Sequence, residues 1–504
     1  LPDLAALLTA TGPAAPDGTA EVLVTGITHA SDAVRPGDLY AALPGSRRHG
    51  AEFIPAAAAA GAVAVLTDPA GAARAAAAGL PALVVAEPRA VLGTVASRVY
   101  GDPSRRLTMI GITGTAGKTT TAYLIESGLR LAGRVTGLIG TVETRLGDLV
   151  VDSVRTTPEA PDLQASLAAA VERGVDAVVM EVSSHALAVG RADGVRFAVG
   201  GFTNLGIDHL DFHADVEDYF AAKARLFDGR SDVEIVNSDD AYGRRLAHPK
   251  TITYGAADAD WTASDVVPGD FGQRFVARGP GGVTVDAGVA MPGRHNISNA
   301  LLAIAALVAV GVDPAVAARG VAACPGVPGR MERVTAPGPV TGVVDYAHKP
   351  DSVTEVLTAL GRLVAGGPGR VICVIGAGGD RDRAKRPLMG AAAARGAGIV
   401  IITDDNPRTE DPAAIRAELL TAARDAAGGS TDVIEVDGRR AAIGEAVRLA
   451  APGDVIALLG KGHERGQEVG GEVYPFDDRV ELAAALAARF GPPVADPAGV
   501  GGAR

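Results

Sequence analysis

A chain of 504 residues is too long for one ordinary core, and length alone suggests about three domains. Apolar residues make up 47% and charged residues 21%, which excludes a disordered polymer. A formal charge of −12 with 4% aromatics argues against nucleic acid or an anionic membrane as partner.

Two cysteines, Cys324 and Cys373, suit a reducing compartment and read as small buried apolar residues, not as metal ligands or a disulfide. No basic-then-apolar leader and no uncharged run of membrane-spanning length is visible. A soluble, cytoplasmic protein without membrane insertion is therefore expected.

The first hundred residues alternate short apolar strands at 22–27, 62–66 and 82–85 with Ala-rich helices around 56–60 and 75–78. The turn cluster Gly101-Asp102-Pro103-Ser104 marks a domain boundary. Next comes the run L-T-M-I-G-I-T-G-T-A-G-K-T-T-T-A at 107–122. It predicts a strand, a glycine turn and a helix that stops at Gly133.

That arrangement is an anion cradle, with backbone N–H groups and the helix dipole facing phosphates. Lys118 adds a mobile positive charge, and the Thr119 hydroxyl suits a phosphate-bound magnesium ion. The first glycine of the usual P-loop pattern is replaced by Ile112, leaving G-x-x-G-K-T.

A second buried strand, 177–180, ends in Glu181, where a Walker-B-type acid would hold magnesium. A third, 197–202, leads into Thr203-Asn204, and Asp208-His209-Leu210-Asp211 follows. Either Asp208 or His209 could ligate a second metal, although a lone histidine there is more often structural. Lys223 reads by default as a surface helix lysine.

A core helix is expected over 300–312 and a linker at 325–330. Strands at 340–344, 371–375, 399–402 and 455–459 then alternate with helices, and Gly376, Asp404 and Gly460 sit at strand ends where ligand loops are expected. From residue 491 the Pro/Gly/Ala-rich chain reads as a frayed tail.

The segments T-G-T-A-G-K-T-T, M-E-V-S-S-H, N-L-G-I-D-H-L-D-F-H, Y-F-A-A-K, G-R-H-N-I-S-N-A, D-Y-A-H-K-P, G-G-D-R-D-R-A-K-R-P and G-K-G-H-E occur in this order. The set resembles the Mur ligases of peptidoglycan synthesis, from about residue 20 to 480. The resemblance implies an α/β protein of three domains. These are a smaller α/β UDP-substrate-binding domain (1–104), a central P-loop parallel-sheet ATPase domain (105–332) and a Rossmann-like amino-acid-binding domain (333–490), before a flexible tail (491–504).

It also implies site residues. For ATP these are Gly114, Thr115, Ala116, Gly117, Lys118, Thr119 and Thr120, with Asn296 and Asn299 on the adenine side and Arg330 and Asp345 from linker and third domain. Ala116 stands where asparagine is common in the family. The magnesium shell is Thr119, Glu181, His209 and Lys223, with Lys223 carbamylated to N6-carboxylysine. That modification turns a repelling ammonium into the oxygen donor a hard cation prefers. Lys118, Lys223 and His209 are the catalytic set, and His348 is a further candidate base.

The UDP-substrate contacts are His29, Ser31, Ser46, Arg47, Arg48, Arg155, Thr156, Thr157, Ser183 and Arg191, while Val189 replaces a polar contact of some members. Diaminopimelate falls to Arg381, Asp405, Asn406, Pro407, Arg408, Gly460 and Glu464. D-N-P-R at 405–408 resembles the family's diaminopimelate signature, and Arg408 can grip the carboxylate that lysine lacks.

The implied activity is ATP-dependent addition of meso-diaminopimelate to the D-glutamyl side-chain carboxylate of UDP-N-acetylmuramoyl-L-alanyl-D-glutamate, through an acyl phosphate, by a monomer. Alternatives are a lysine-adding, D-Ala-D-Ala-adding or folate-polyglutamating relative and, from another class, a P-loop switch or motor.

Overall fold

The computed structural model describes residues 1–9, 22–336, 338–429 and 431–491. The chain divides into two compact units. One comprises Leu1–Ser264, Val276–Ala287 and Ser298–Val321; the other takes Asp265–Phe275, Gly288–Ile297 and the chain from Ala322 onward. Sheets of four, eleven and six strands organise the chain, in keeping with the α/β class and three-domain plan. The tail expected beyond Gly491 lies outside the described residues. No helix among the described residues is long and apolar enough to cross a membrane.

In the first unit, the four-stranded sheet is parallel and runs Gly26–Thr28, Asp38–Ala42, Ala64–Thr67, Ala82–Val84. Alternation along Asp38–Ala42 sends Leu39 and Ala41 to a core with Leu92 and Val95, and Tyr40 and Ala42 to one with Ile54 and Ala75. The strand expected at 22–27 proves to be Gly26–Thr28. Val22 and Val24 pack on that core, but from an irregular segment.

The eleven-stranded sheet has a parallel centre in the order Ile252–Gly255, Ser231–Asn237, Phe197–Phe202, Thr108–Thr113, Ala177–Glu181, Thr136–Ile139. The antiparallel strands Glu143–Leu146 and Leu149–Asp152 extend one edge. Helix Lys118–Leu131 packs close to its neighbours because Gly128 and Gly320 lack side chains. A Cβ on Gly320 would lie 2.5 Å from Gly128 Cα. The core helix expected at 300–312 is Arg294–Ala309.

At that helix's first turn, His295 folds its ring over Gly293, and burial pushes its pKa down from 6.5 to about 4. The unfolded chain therefore accepts a proton that the folded chain resists. Stability from this ring is complete above pH 6.5 and is lost as pH falls toward 4. Allowing for partial exposure, the loss is about 2 kcal/mol. His295→Gln should flatten the decline of melting temperature across that window, and an unchanged slope would refute this assignment.

In the second unit the six-stranded sheet runs Glu332–Val334, Thr341–Asp345, Val455–Leu459, Val371–Ile375, Ile399–Ile402, Asp432–Glu435, parallel after the first pair. Its first strand thus begins at Glu332. The strand expected at 340–344 is Thr341–Asp345. Register aligns the strand ends, with Asp345 and Ile375 both opposite Leu459 and Ile375 opposite Ile402. The loops after these strands consequently gather on one edge, the ligand edge of such sheets.

Buried ion pairs brace that edge. Arg439 donates to Asp478 (2.6 and 2.7 Å), Asp404 O and Leu459 O, with both pair members fully buried. Arg386, also fully buried, donates to Glu410, Glu418 and Gly378 O. Leaving Arg439 or Asp478 uncompensated would cost about 3–5 kcal/mol.

Candidate active site

The strand Thr108–Thr113 lies between two parallel neighbours, and the chain leaves it through Gly114 (φ 144°) and Gly117 (φ 87°). Helix Lys118–Leu131 starts immediately after, so its first-turn N–H groups and positive dipole end face the loop. A Cβ on Gly117 would stand 2.5 Å from Asn299 Oδ1, in a backbone conformation side chains resist. Gly117→Ala should therefore raise the KM for ATP roughly ten-fold or more. Steady-state kinetics check this, and a KM within two-fold of wild type would contradict it.

The cradle is narrower than the sequence suggested. The N–H groups of Thr115 and Ala116 do not stand open to an anion: they donate to Asn204 O (2.8 Å) and Asn204 Oδ1 (3.0 Å). Thr203 Oγ1 and Asn204 Nδ2 donate back to Ala116 O at 2.6 and 3.2 Å. Asn204 thus supplies a side-chain amide next to Ala116. Lys118 Nζ donates to Gly114 O (2.9 Å) and Thr115 O (3.1 Å), folding over its own loop.

Strand register sets Glu181 opposite Ile112, beside the loop. Its carboxylate accepts from Thr119 Oγ1 (2.9 Å), Thr141 N (2.7 Å) and Thr141 Oγ1 (3.1 Å). A hydroxyl and a carboxylate are the hard oxygen donors magnesium takes. Among the described residues no three His, Cys, Asp or Glu converge as a metal cage.

Helix Val216–Ala224 presents Tyr219 and Lys223, four apart, on one face. Tyr219 OH lies 3.0 Å from Thr115 Oγ1, and Lys223 Nζ donates to Gly114 O at 2.8 Å from 4.4 Å above the Tyr219 ring. Burial raises the Tyr219 pKa and keeps the phenol neutral. Lys223 is 1% exposed, so the default surface reading fails: the helix's last turn drives it under the loop. His209 sits on left-handed backbone (φ 54°), its Nε2 3.0 Å from Asp208 Oδ2 and its ring against those of His185 (4.7 Å) and Tyr219 (6.0 Å).

A second group adjoins Glu181. Thr156 Oγ1 is 3.0 Å from Thr141 Oγ1, and Thr157 Oγ1 donates to Glu181 O (2.8 Å) and accepts from Ser183 N (3.1 Å). Arg191 donates to Thr157 O (3.4 Å), with its Nε 2.8 Å from Glu159. Burial lowers the Arg191 pKa and the Glu159 charge partly offsets it. Arg155 is exposed at the start of this turn.

His29 and Ser31 follow the strand Gly26–Thr28, and Ser46, Arg47 and Arg48 form an exposed loop after Asp38–Ala42. Among the described residues no hydrogen bond or ion pair joins them to the Thr157 group. Arg48 pairs with Glu52 (2.8 Å) and lies over Phe53 (4.5 Å). His29 Nδ1 is buried without a hydrogen-bond partner, an unmet need that a bound ligand would satisfy.

The expected adenine-side pair, Asn296 and Asn299, is divided between the units, and the linker and third-domain residues Arg330 and Asp345 belong to the second. Asn299, in the P-loop unit, accepts from Thr121 Oγ1 (3.4 Å). In the other unit, Asn296 donates to Pro292 O (2.7 Å). There Arg330 lies 4.5 Å over the Tyr346 ring, and Asp345 accepts from Met331 N (2.7 Å) and Ala347 N (2.8 Å). Burial raises the Asp345 pKa against the pull of Arg330. His348 Nδ1 stands 2.7 Å from Tyr346 O.

On the ligand edge, Arg408 has left-handed backbone (φ 53°). Its Nε donates to Glu468 (3.1 Å) and its Nη1 to Gly379 O (2.7 Å), leaving both Nη2 hydrogens and one on Nη1 for another acceptor. Asn406 donates to Glu464 (2.8 Å) and accepts from Lys461 Nζ (2.9 Å). Gly460 (φ 112°) gives way to Asp405, whose Oδ2 lies 2.3 Å from where a Cβ would stand. Arg381 is exposed nearby in sequence, two residues after Gly379.

Sequence reasoning passed over Asn204, Tyr219, Thr141, Lys461 and Glu468.

A phosphate cradle in one sheet and a polar, doubly charged ligand edge in another are features of an ATP-dependent enzyme. Comparison with known proteins narrows the class. Residues 23–100 match the catalytic domain of the Mur ligase family, 112–307 the Mur ligase middle domain and 329–462 the Mur ligase glutamate ligase domain. A Streptomyces coelicolor UDP-N-acetylmuramoyl-L-alanyl-D-glutamate–2,6-diaminopimelate ligase is 55% identical over 491 residues, covering 96% of each chain. The enzyme of that name from Corynebacterium glutamicum is 48% identical over 89% of each chain. A solved structure of a ligase of the same name superposes with a TM-score of 0.66 at 32% identity, covering 92% of this chain and 95% of the other. The chain belongs to the Mur ligase family.

Proposed function

We infer that this Mur ligase is an ATP-dependent amide ligase that adds meso-2,6-diaminopimelate to the D-glutamyl side chain of UDP-N-acetylmuramoyl-L-alanyl-D-glutamate, in peptidoglycan synthesis. The observation that carries the reading is the ligand edge. Arg408, held by Glu468 and Gly379, keeps donors for a carboxylate, while Glu464 beside Asn406 offers a partner for an ammonium. Diaminopimelate carries a terminal carboxylate and an amine at each end, whereas lysine would leave the guanidinium facing nothing.

The side-chain carboxylate attacks the γ-phosphorus of ATP and the bond to ADP breaks, giving an acyl phosphate. The diaminopimelate amine then attacks the acyl carbon, losing a proton as inorganic phosphate leaves. Carboxylate and triphosphate repel each other, so cationic groups must stand between them. Lys118 turns from its loop carbonyls to the β- and γ-phosphates, and the helix N-terminus shares the load.

Thr119, Glu181, His209 and Lys223 would hold magnesium, which would supply further neutralisation of the phosphate charge. In this reading Lys223 would bear a carbamate, whose oxygens would be donors of the kind a hard cation prefers. Thr156, Thr157, Ser183 and Arg191 hold the peptide near Glu181; Arg155, His29, Ser31, Ser46, Arg47 and Arg48 take the sugar-nucleotide end. Asn296, Asn299, Arg330 and Asp345 serve the nucleoside of ATP. Arg381, Asp405, Pro407 and Gly460 shape the amino-acid pocket. In this reading the protein acts as a monomer in the cytoplasm.

The test is product mass spectrometry with ATP, magnesium, the UDP-muramoyl-dipeptide, and diaminopimelate and lysine in competition. The expected product is the diaminopimelate tripeptide with one ADP per amide. A lysine product, or ADP release at full rate without amine, would overturn the reading.

A further inference from the structure

Lys461 is fully buried, yet the chemistry above gives it no task. It follows the strand Val455–Leu459 at the ligand edge, after the left-handed Gly460. Its Nζ donates to Asn406 Oδ1 (2.9 Å) and to Glu464 Oε2 (3.2 Å). Asn406 Oδ1 also accepts from Glu468 N (3.0 Å), so both lone pairs of that oxygen are used. The Asn406 amide therefore has one orientation. Its Nδ2 donates one hydrogen to Glu464 (2.8 Å), and the second is left to be directed at a ligand.

Glu464 Oε2 receives both Asn406 and Lys461, which leaves Oε1 as the oxygen to pair with an incoming ammonium. Glu468 ties this group to Arg408, since its N–H holds Asn406 while its carboxylate holds the guanidinium.

We propose that Lys461 is a positioning residue for amino-acid specificity: its ammonium fixes the Asn406 amide and the Glu464 carboxylate in the poses that receive the zwitterionic end of the incoming amino acid. This inference rests on the diaminopimelate reading above. Without Lys461, the Asn406 oxygen keeps only the Glu468 N–H, so the amide is held less firmly in the pose that points its donor at the ligand. Glu464 also loses the cation that holds one of its oxygens. Partners that orient ligating groups in this way are typically worth about 10- to 100-fold in affinity.

The experiment is a kinetic comparison of wild type, Lys461→Met, Asn406→Ala and the double variant. Lys461→Met should raise the KM for diaminopimelate at least ten-fold, with the KM for ATP within about two-fold. Because Lys461 acts partly through Asn406 and partly through Glu464, the double variant should lose clearly less than the product of the two single effects. Multiplicative effects, or equal changes in both KM values, would overturn the proposal.

Should Lys461→Met not accumulate as folded protein, Lys461→Gln decides. The introduced amide keeps a donor for Asn406 but brings no charge to Glu464, and an unchanged KM for diaminopimelate in that variant would also overturn the proposal. Wild type run beside them separates the two levels. A wild type that makes no amide with diaminopimelate sinks the functional reading, while an active wild type with an indifferent Lys461 variant sinks the positioning role alone.

Discussion

Lys118→Ala is expected to lower kcat/KM by roughly a thousand-fold, the upper range for removing one preorganised charge-stabilising donor. Two effects combine. The variant loses the cation that offsets repulsion between the attacking carboxylate and the triphosphate. It also loses the hydrogen bonds that fold the loop through Gly114 O and Thr115 O, so the cradle itself loosens. Stability should change little, because Lys118 is only half-buried and sits at the head of a helix whose core face is formed by Leu124, Ile125 and Leu129. ADP release in a coupled assay, beside a melting curve, measures both. Activity within ten-fold of wild type would mean that phosphate charge is handled elsewhere.

Arg408→Ala should raise the KM for diaminopimelate by roughly a hundred-fold and leave that for ATP within two-fold. A charge-assisted contact to the distal carboxylate disappears, and Glu468 is left without its guanidinium partner. The preference for diaminopimelate over lysine should collapse with it, since lysine never used that contact. Competition between the two amines, read by product mass, gives the ratio. Equal losses on ATP and amine would show that Arg408 serves loop structure instead, through its bridge to Val469 and its contact with Gly379.

What the sequence made legible follows from burial. Strands 197–202, 371–375, 399–402 and 455–459 appear at the bounds expected, because a parallel strand covered on both faces is an unbroken apolar run. The pair Glu143–Leu146 and Leu149–Asp152 escaped notice, as edge strands with one wet face carry weak patterns. The phosphate loop was readable because its chemistry is local in sequence.

Asn204, Tyr219 and Lys223 were not readable from spacing, because each reaches the loop across 88 residues or more. The amino-acid edge stood between these cases. D-N-P-R and G-K-G-H-E both drew attention, yet nothing in their spacing revealed that the lysine of the second holds the asparagine of the first.

The pairing of Ile112 with Glu181 and of Thr113 with Phe202 has a further consequence. Adjacent positions on a strand project to opposite sides, so gaining or losing a single residue within 108–113 or 177–181 would swing the acidic group away from the nucleotide. Descendants of this gene can therefore lengthen or shorten their surface connections freely, but these two short stretches must be inherited at constant length.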